Sequence, residues 1–240
     1  MTDASDGTVV LVHGAWHGSW AFKEVIRELE ARDVRTLTVD LKSVGDDPAA
    51  LGNLDDDVET VQGALDGVSG PVVLCGHSYG GIVITGAAAD QPSVKHLVYL
   101  CAWMPDVGES LLSIIAGLDL PPWIVNRGDG SLAVDPDMAT ETFYADCDPQ
   151  VAADAMARLR LQSAASFAGE TRAAGWKEHP STYILCNQDE SIPPDLQRTM
   201  SRHASKVVEF DSSHSPFLSR PKDVADQLLL AGADGEARQW

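Results

Sequence analysis

The sequence predicts an α/β fold built around a mostly parallel sheet of about six strands. Short runs rich in β-branched residues alternate along the chain with longer segments of helical periodicity, which is the rhythm of strand–helix–strand units. Several of these short runs are almost wholly apolar, as expected for strands that helices cover on both faces. The expected strands cover residues 8–12, 34–41, 71–75, 96–102, 182–186 and 206–210.

Helical segments lie between these strands. Residues 19–32 place apolar side chains such as Val25 and Leu29 on one helical face. Residues 56–65 begin with carboxylates, which the exposed amides of a helix N-terminus favour. We therefore interpret the acidic run at residues 55–57 as a solvated helix cap and not as a cation site. The other expected helices of the sheet domain cover residues 79–89, 194–203 and 222–230.

The rhythm breaks in the stretch from residue 106 to residue 180. This stretch holds a Pro-Pro pair and a glycine-rich turn, with helical pieces such as residues 151–162 between them. We expect a small inserted helical lid at residues 106–180, within a core domain formed by residues 1–105 and 181–240. The tail, residues 232–240, is expected to fray.

The composition is that of an ordinary globular protein. A chain of 240 residues with 44% hydrophobic and 22% charged residues suits one domain with an insert. No apolar run is long enough to cross a bilayer. Seventeen Lys and Arg stand against 36 Asp and Glu, and the resulting net charge of −19 repels phosphate backbones. We therefore expect neither a membrane nor a nucleic acid as partner.

The N-terminus and the cysteines both point to a cytoplasmic protein. Residues 1–8 are polar and acidic, without the basic and apolar regions of a secretory signal. The cysteines are far apart and form no C-x-x-C pair, so we expect buried thiols, neither disulfides nor metal ligands. They are Cys75, Cys101, Cys147 and Cys186.

A nucleophile motif follows the third expected strand. The run Gly76-His77-Ser78-Tyr79-Gly80 matches G-x-S-x-G between an apolar strand and a helix rich in small residues. In this setting the serine stands on a strained turn, and the glycines let the strand and helix backbones pass closely. The motif indicates Ser78 as a catalytic nucleophile.

A serine nucleophile needs a base, and His214 is the histidine that fits best. It follows the last expected strand, where a loop can place an imidazole over the turn that carries Ser78. The other histidines lie in the first loop, beside the serine, at a strand start, before a proline or at a helix end. They are His13, His17, His77, His96, His179 and His203.

The carboxylate that orients His214 is expected to be Asp189. It follows the fifth expected strand and precedes His214, which gives the chain order serine, acid, histidine. Asp106, Glu190 and Asp211 remain alternatives, because each lies in a loop near the carboxyl end of a strand.

Two backbone amides are expected to form an oxyanion hole. In sheets of this kind one amide comes from the loop after the first strand and the other from the residue after the serine. These places belong to Ala15 and Tyr79. In the same loop, His13 and His17 have i, i+4 spacing but lack the glutamate of a zinc-protease helix. We therefore expect their imidazoles to bind loop backbone, and no metal or organic cofactor is implied.

The lid and the chain leading into it offer apolar side chains for a substrate pocket. We expect most of them to form the core of the lid and a few to line an acyl or alcohol pocket beside the serine. The candidates are Trp103, Met104, Leu111, Leu112, Trp123, Phe143, Tyr144, Phe167 and Trp176.

Together these motifs resemble the α/β-hydrolase superfamily. The chain is similar in particular to the short branch of plant methylesterases, the salicylate-binding methylesterase, hydroxynitrile lyases and bacterial carboxylesterases of the pyrethroid-hydrolase kind. The resemblance spans nearly the whole chain and rests on residues 11–18, the Gly-His-Ser-Tyr-Gly-Gly run, Asp189 before Glu-Ser-Ile-Pro, and His214. It implies a six-stranded core and a triad of Ser78, Asp189 and His214.

Two positions favour hydrolysis over cyanohydrin cleavage. The lyases of this branch carry threonine where this chain has Gly14 and lysine where it has Ser215. Cyanide leaves as an anion and needs a nearby positive charge, whereas the alcohol leaving an ester needs only a proton. We expect a serine carboxylesterase for small to medium, largely apolar or aromatic esters, with a homodimer as one assembly open to it. A lactonase, a C–C hydrolase or lyase, and a small-molecule sensor with little turnover stay open as alternatives.

Overall fold

The computed structural model describes residues 7–116 and 120–235, and its main feature is a parallel sheet of six strands. The strands are β1 (Thr8–Val12), β2 (Arg35–Val39), β3 (Val44–Gly45), β4 (Val72–His77), β5 (Val94–Leu100), β6 (Ile124–Asn126), β7 (Ser131–Val134), β8 (Leu161–Ser163), β9 (Ser181–Cys186) and β10 (Lys206–Phe210). The helices are α1 (Lys23–Glu30), α2 (Leu54–Asp66), α3 (Gly80–Ala87), α4 (Leu111–Ile114), α5 (Ala139–Tyr144), α6 (Pro149–Met156), α7 (Ala164–Ala168), α8 (Pro194–Met200), α9 (Pro216–Ser219) and α10 (Pro221–Gly235). The predicted α/β class and its six strands are confirmed.

The strand order places the loops that carry the predicted site at one edge of the sheet. The order is β10-β9-β5-β4-β1-β2, and all neighbouring pairs are parallel. β1 lies between β2 and β4. The chain first adds β2 on one side of β1 and then adds β4, β5, β9 and β10 on the other side, so the strand order changes direction at β1. Ligands in such sheets bind outside the carboxyl ends of the strands, near this reversal.

The two faces of the sheet are both covered. In β1, Val10 and Val12 belong to a buried cluster that includes side chains of α2 and α3. The alternate residues Val9 and Leu11 belong to a second cluster with side chains of α1 and α10. This is the period-two alternation of a strand, and it explains why a strand with two covered faces is apolar throughout.

The lid segment, residues 106–180, is not purely helical. Its strands β6, β7 and β8 join β3 in a second, antiparallel sheet ordered β3-β8-β7-β6. The helix predicted over residues 151–162 ends at Met156, and Gln162 instead pairs with Val44 and Leu132. The expectation of a helix through residue 162 is therefore wrong, because pairing with distant strands decides the structure there.

The acidic residues at the start of α2 have different roles. Asn53 and Asp56 form a reciprocal capping box, in which the Asp56 carboxylate accepts a hydrogen bond from the Asn53 amide at 2.8 Å. Asp57, in contrast, is fully buried. The predicted cap is confirmed, but the expectation that the whole run is solvated is wrong for Asp57.

The cysteines and the last helix were also the subject of predictions. Cys75, Cys101 and Cys186 are buried and unpaired, whereas Cys147 is only half-buried. The last helix continues through Gly235, beyond the predicted start of fraying, and the rest of the tail lies outside the described residues. No helix within residues 7–116 and 120–235 is long and apolar enough to cross a membrane.

Candidate active site

Ser78 lies on a strained turn between β4 and α3. Its φ of 51° is in the left-handed region, which is unfavourable for a residue with a side chain. The backbone around it is held by hydrogen bonds from the Ser78 amide to the Leu100 carbonyl and from the Trp103 amide to the Ser78 carbonyl, at 3.2 and 3.1 Å. The strain at Ser78 is thus supported by the neighbouring strand end and the loop after it.

Two glycines make this turn sterically feasible. A Cβ at Gly76 would lie 2.5 Å from the Gly80 carbonyl oxygen, and a Cβ at Gly80 would lie 2.6 Å from the Val12 carbonyl oxygen. Both obstacles are backbone atoms, so neither can rotate away. The G-x-S-x-G spacing therefore reflects close passage of β4, α3 and β1.

His214 and Asp189 form a buried pair at the carboxyl ends of β10 and β9. Nδ1 of His214 lies 2.7 Å from Oδ2 of Asp189, and both side chains are at most 1% exposed. A carboxylate only accepts, so Nδ1 carries the hydrogen, and in the neutral imidazole the lone pair is on Nε2.

The Asp189 carboxylate is held from several sides. Oδ1 accepts hydrogen bonds from the amides of Ser191 and Ile192, each at 2.8 Å. Oδ2 accepts from Nε2 of Gln197 at 2.9 Å in addition to His214. Four hydrogen bonds compensate the cost of burying this charge and fix its direction.

The loop of His214 is hydrogen-bonded to the turn that carries Ser78. Nε2 of His77 donates to the His214 carbonyl oxygen at 2.9 Å, and Sγ of Cys101 donates to the same oxygen at 3.3 Å. Potential metal-ligand atoms of His77, Cys101 and His214 lie within 4.8 Å of one another. The first two residues bind the backbone of the third, and Asp189 occupies Nδ1 of His214, so the cluster fits the packing of the histidine loop better than it fits a metal.

The alternative carboxylates lie elsewhere. Asp106 forms an ion pair with Lys177, and Asp211 accepts a hydrogen bond from Gln188 at 2.6 Å. Glu190 is exposed to solvent. Of the four carboxylates considered, the structure places Asp189 against His214.

The loop after β1 is fixed by its own histidines. His17 Nδ1 donates to the Ala15 carbonyl oxygen at 2.7 Å, and the Tyr144 hydroxyl donates to His17 Nε2 at 2.8 Å. His13 Nδ1 donates to the Gly14 carbonyl oxygen at 2.8 Å. Burial lowers the pKa of His13, and it lowers the pKa of His17 to about 3, so both act as neutral loop supports.

The predicted oxyanion donors lie beside Ser78. Ala15, Tyr79 and Ser78 line one cavity of about 350 Å³. Within residues 7–116 and 120–235, neither the Ala15 amide nor the Tyr79 amide donates a hydrogen bond to the protein. An amide at a cavity wall without an internal acceptor is suited to bind an oxygen of a ligand.

This cavity is lined mainly by apolar side chains. The aromatic ones are Trp16, Tyr79, Trp103, Trp123 and Phe167, and the aliphatic ones are Leu111, Ile114, Ile115, Leu120, Ile124, Ile192 and Leu196. Four of the nine predicted candidates are among them, namely Trp103, Leu111, Trp123 and Phe167.

The remaining candidates have other surroundings. Phe143 packs 5.6 Å from the His214 ring, Tyr144 binds His17, and Trp176 stacks on His203. Met104 is buried in the core, and Leu112 is 38% exposed. Trp16 and the cavity wall formed by residues 191–193, 195 and 196 were not predicted, although both directly follow predicted site segments.

Known proteins resemble this chain over nearly its whole length. A family model described as "Alpha/beta hydrolase family" matches residues 9–227. The carbendazim hydrolyzing esterase of Nocardioides sp. is 30% identical over 250 residues, covering 93% of this chain and 98% of that protein. Methylesterase 18 and the alpha-hydroxynitrile lyase of Arabidopsis thaliana are each 28% identical, covering 95% and 94% of this chain and 98% and 96% of their own lengths.

A solved structure also resembles this chain over nearly its whole length. The pyrethroid hydrolase from Sphingobium faniae matches with a TM-score of 0.80 at 25% identity, covering 96% of this chain and 98% of that one. The predicted resemblance to methylesterases, hydroxynitrile lyases and pyrethroid hydrolases is confirmed.

Proposed function

The chain belongs to the α/β-hydrolase family, and we propose that within it the protein is a serine carboxylesterase for small to medium, apolar or aromatic esters. The observation that carries this proposal is the meeting of two features at one edge of the sheet. A buried His214–Asp189 pair is tied to the turn of Ser78, and Ser78 opens into an apolar cavity with two unengaged amides. The names of the relatives, which include esterases, support the same reaction.

The proposed reaction proceeds through an acyl-enzyme. Nε2 of His214 takes the proton of the Ser78 hydroxyl as Oγ attacks the ester carbonyl carbon, and Asp189 stabilises the resulting imidazolium. The amides of Ala15 and Tyr79 bind the oxygen that becomes negative. Collapse breaks the bond to the leaving alcohol, which receives the proton from His214. Water then attacks the acyl carbon with His214 as base, releasing the acid and restoring Ser78.

The lining of the cavity supports the proposed substrate class. Its walls are five aromatic rings and a set of aliphatic side chains, with Asp195 as the one charged residue among the described residues that line it. Burial of apolar surface favours binding by about 25 cal/mol per Å², whereas an anionic group would lose its hydration here. We therefore propose uncharged esters with an aromatic or branched apolar group.

Space around Gly14 argues against the lyase reaction. A Cβ at Gly14 would lie 2.8 Å from His77 Nδ1 and 2.9 Å from Ser78 Cβ, so the threonine of the lyases would displace the His77 ring or Ser78. Ser215, where the lyases have lysine, is buried and offers no positive charge. Neither feature distinguishes a linear ester from a lactone, so the lactone belongs in the test.

The test is a substrate panel with matched variants. We would measure release of acid and alcohol from p-nitrophenyl, methyl and aromatic esters, a lactone, a 1,3-diketone and a cyanohydrin. The proteins are the wild type, Ser78→Ala, and Ser93→Ala as a control in a loop before β5. We expect ester hydrolysis that Ser78→Ala abolishes and Ser93→Ala retains. Wild-type turnover in Ser78→Ala, or thermal stabilisation by esters without product, would overturn the proposal and in the second case favour a sensor.

A further inference from the structure

We propose that Asp57 and Gln162 are positioning residues for the oxyanion hole, acting through one buried polar network that joins the Tyr79 ring to the loop of Ala15. This inference rests on the proposed function. Neither residue belongs to the proposed reaction, and both are fully buried. A buried carboxylate and a buried carboxamide each need a reason, because burying them is costly unless their hydrogen bonds are satisfied.

Asp57 holds the Tyr79 end of the network. Its Oδ2 accepts the Tyr79 hydroxyl hydrogen at 2.8 Å, and its Oδ1 accepts the Ser43 amide hydrogen at 2.9 Å. Tyr79 is anchored in this way at the tip of its ring, while its own backbone amide is one of the two proposed oxyanion donors. Because Asp57 lies on α2, its hydrogen bond to the Tyr79 hydroxyl makes the position of Tyr79 depend on the position of that helix.

Gln162 holds the other end. Its Nε2 donates both of its hydrogens, to Ser43 Oγ at 2.9 Å and to Ser166 Oγ at 2.6 Å. Its Oε1 accepts the Trp16 amide hydrogen at 3.3 Å. Since a backbone amide can only donate, this contact fixes which way the carboxamide faces.

The contact with Trp16 supports a strained backbone. Trp16 has a φ of 61°, and its carbonyl oxygen also accepts a hydrogen bond from the Arg160 amide at 2.9 Å. Trp16 follows Ala15 directly, so the contact to its amide restrains the Ala15–Trp16 peptide, which adjoins the Gly14–Ala15 peptide that presents the Ala15 amide. A residue in this conformation persists only when its surroundings determine it.

Ser43 connects Asp57 to Gln162 by hydrogen bonds to both residues. Its amide binds Asp57 and its hydroxyl accepts from Gln162, so one residue links the carboxylate to the carboxamide. Its carbonyl oxygen accepts the Ser163 amide hydrogen at 2.8 Å, which attaches the same residue to β8. The spacing between the two oxyanion donors is therefore set through side chains of α2 and of the lid sheet. Donors aimed at a developing charge act only when they are held in place beforehand.

The first variants test the Tyr79 end. Asp57→Asn places an amide group against either the Ser43 amide or the Tyr79 hydroxyl, and Tyr79→Phe removes only the hydroxyl while keeping the ring and backbone. Glu59→Gln is the matched control, because it removes one carboxylate from the exposed side of the same helix. We expect kcat to fall about tenfold in Asp57→Asn and in Tyr79→Phe, with KM within about twofold, since a partly displaced donor loses less than a deleted one. The double variant should lose no more than the larger single loss.

Gln162→Met tests the other end with the same readout. It keeps the length of the side chain but can neither accept from Trp16 nor donate to Ser43. We expect a similar fall in kcat. If Asp57→Asn does not fold, Tyr79→Phe and Gln162→Met decide the question.

A pair of ligands separates positioning from loss of structure. An aryl trifluoromethyl ketone forms an adduct with a catalytic serine and places a negative oxygen in the hole, whereas the corresponding carbinol only fills the cavity. We expect the variants to bind the ketone about tenfold more weakly and the carbinol as the wild type does. The inference is overturned if both ligands bind equally more weakly, or if kcat is unchanged in Tyr79→Phe and Gln162→Met. In either case, ester hydrolysis by the wild type still supports the proposed function. A wild type that hydrolyses no ester overturns both.

Discussion

At the scale of single residues, the site depends on buried polar groups that have defined partners. Asp189 is the clearest case, since its two oxygens accept four hydrogen bonds and the one from His214 is among them. Such a carboxylate fixes the tautomer of the histidine as well as its orientation.

Replacing Asp189 by asparagine tests this role. The carboxamide of the asparagine would keep the shape of the side chain but remove the charge that stabilises an imidazolium, and its amide could turn a donor toward Nδ1. We expect kcat to fall by roughly 10³-fold to 10⁴-fold in Asp189→Asn, as for triads of this kind. The measurement is steady-state kinetics on the best ester of the panel. Glu190→Gln, in the exposed neighbour, should leave kcat unchanged, and equal losses in the two variants would contradict the assignment of Asp189.

Gly14 gives a second test at this scale. A Cβ there would meet His77 Nδ1 at 2.8 Å, and burial holds the pKa of His77 well below its usual range, so the obstacle is a fixed, neutral ring. We expect both Gly14→Ala and Gly14→Thr to lower kcat for esters at least about tenfold by displacing the turn, because misplacement by about 1 Å can cost 10²-fold. Product analysis with a cyanohydrin would show no cleavage. Retained ester turnover in Gly14→Thr, or a new lyase activity, would contradict this account.

At the scale of elements, the strands of the main sheet follow from the sequence more closely than the lid does. The predicted bounds of β1 and β10 agree with the observed ones, because each run is bordered by polar residues and turns. The lid strands are three or four residues long, and β8 pairs with partners about 30 residues or more away, so no local pattern marks it. The site residues could likewise be predicted only where a local pattern marks them.

Ser78, Asp189 and His214 each follow a strand and can be predicted from the sequence. The cavity wall depends on how the lid packs, which no local pattern shows.

Steric contact between elements predicts the effect of a methyl group at Gly80. Its Cβ would lie 2.6 Å from the Val12 carbonyl oxygen and 2.7 Å from that of His13, both on β1 or its loop. We expect Gly80→Ala to lower the free energy of unfolding by about 1–3 kcal/mol, as overpacking does, and to lower kcat by moving Ser78. Urea unfolding followed by circular dichroism measures the first effect.

Gly63 provides the matched control. It lies inside α2, and an added Cβ would meet no atom within 4 Å. We expect Gly63→Ala to raise the free energy of unfolding by about 0.5–1 kcal/mol, because alanine favours the helix over the unfolded chain. Destabilisation by Gly63→Ala as large as that by Gly80→Ala would show that close passage of β1 is not the cause.

At the scale of the whole molecule, buried neutral histidines link stability to pH. Burial lowers the pKa of His13 and His77, and it lowers the pKa of His17 from 6.5 to about 3. At these histidines the unfolded chain therefore binds more protons than the folded one below about pH 6.5, and for His17 this difference extends down to about pH 3. Stability from these groups is fully present above pH 6.5 and is lost as the pH falls through this window. Asp57, whose pKa burial raises, acts in the opposite direction.

Thermal unfolding as a function of pH measures this linkage. We expect Tm to decrease steadily below pH 6.5, with each such histidine adding up to about 1.4 kcal/mol per pH unit to the slope of the unfolding free energy. His17→Gln keeps a donor for the Ala15 carbonyl and should give a shallower slope. A slope that His17→Gln leaves unchanged would contradict the buried neutral state of His17.

The reaction proposed for the whole molecule depends on Ser78 acting as the nucleophile of this acidic chain. The most direct measurement is mass spectrometry of the protein after reaction with an aryl phosphonate, followed by peptide mapping of the site. We expect one phosphonyl group per chain, located on Ser78, with loss of esterase activity in the same proportion and no labelling of Ser78→Ala. Labelling at another residue, or full esterase activity in fully labelled protein, would contradict it.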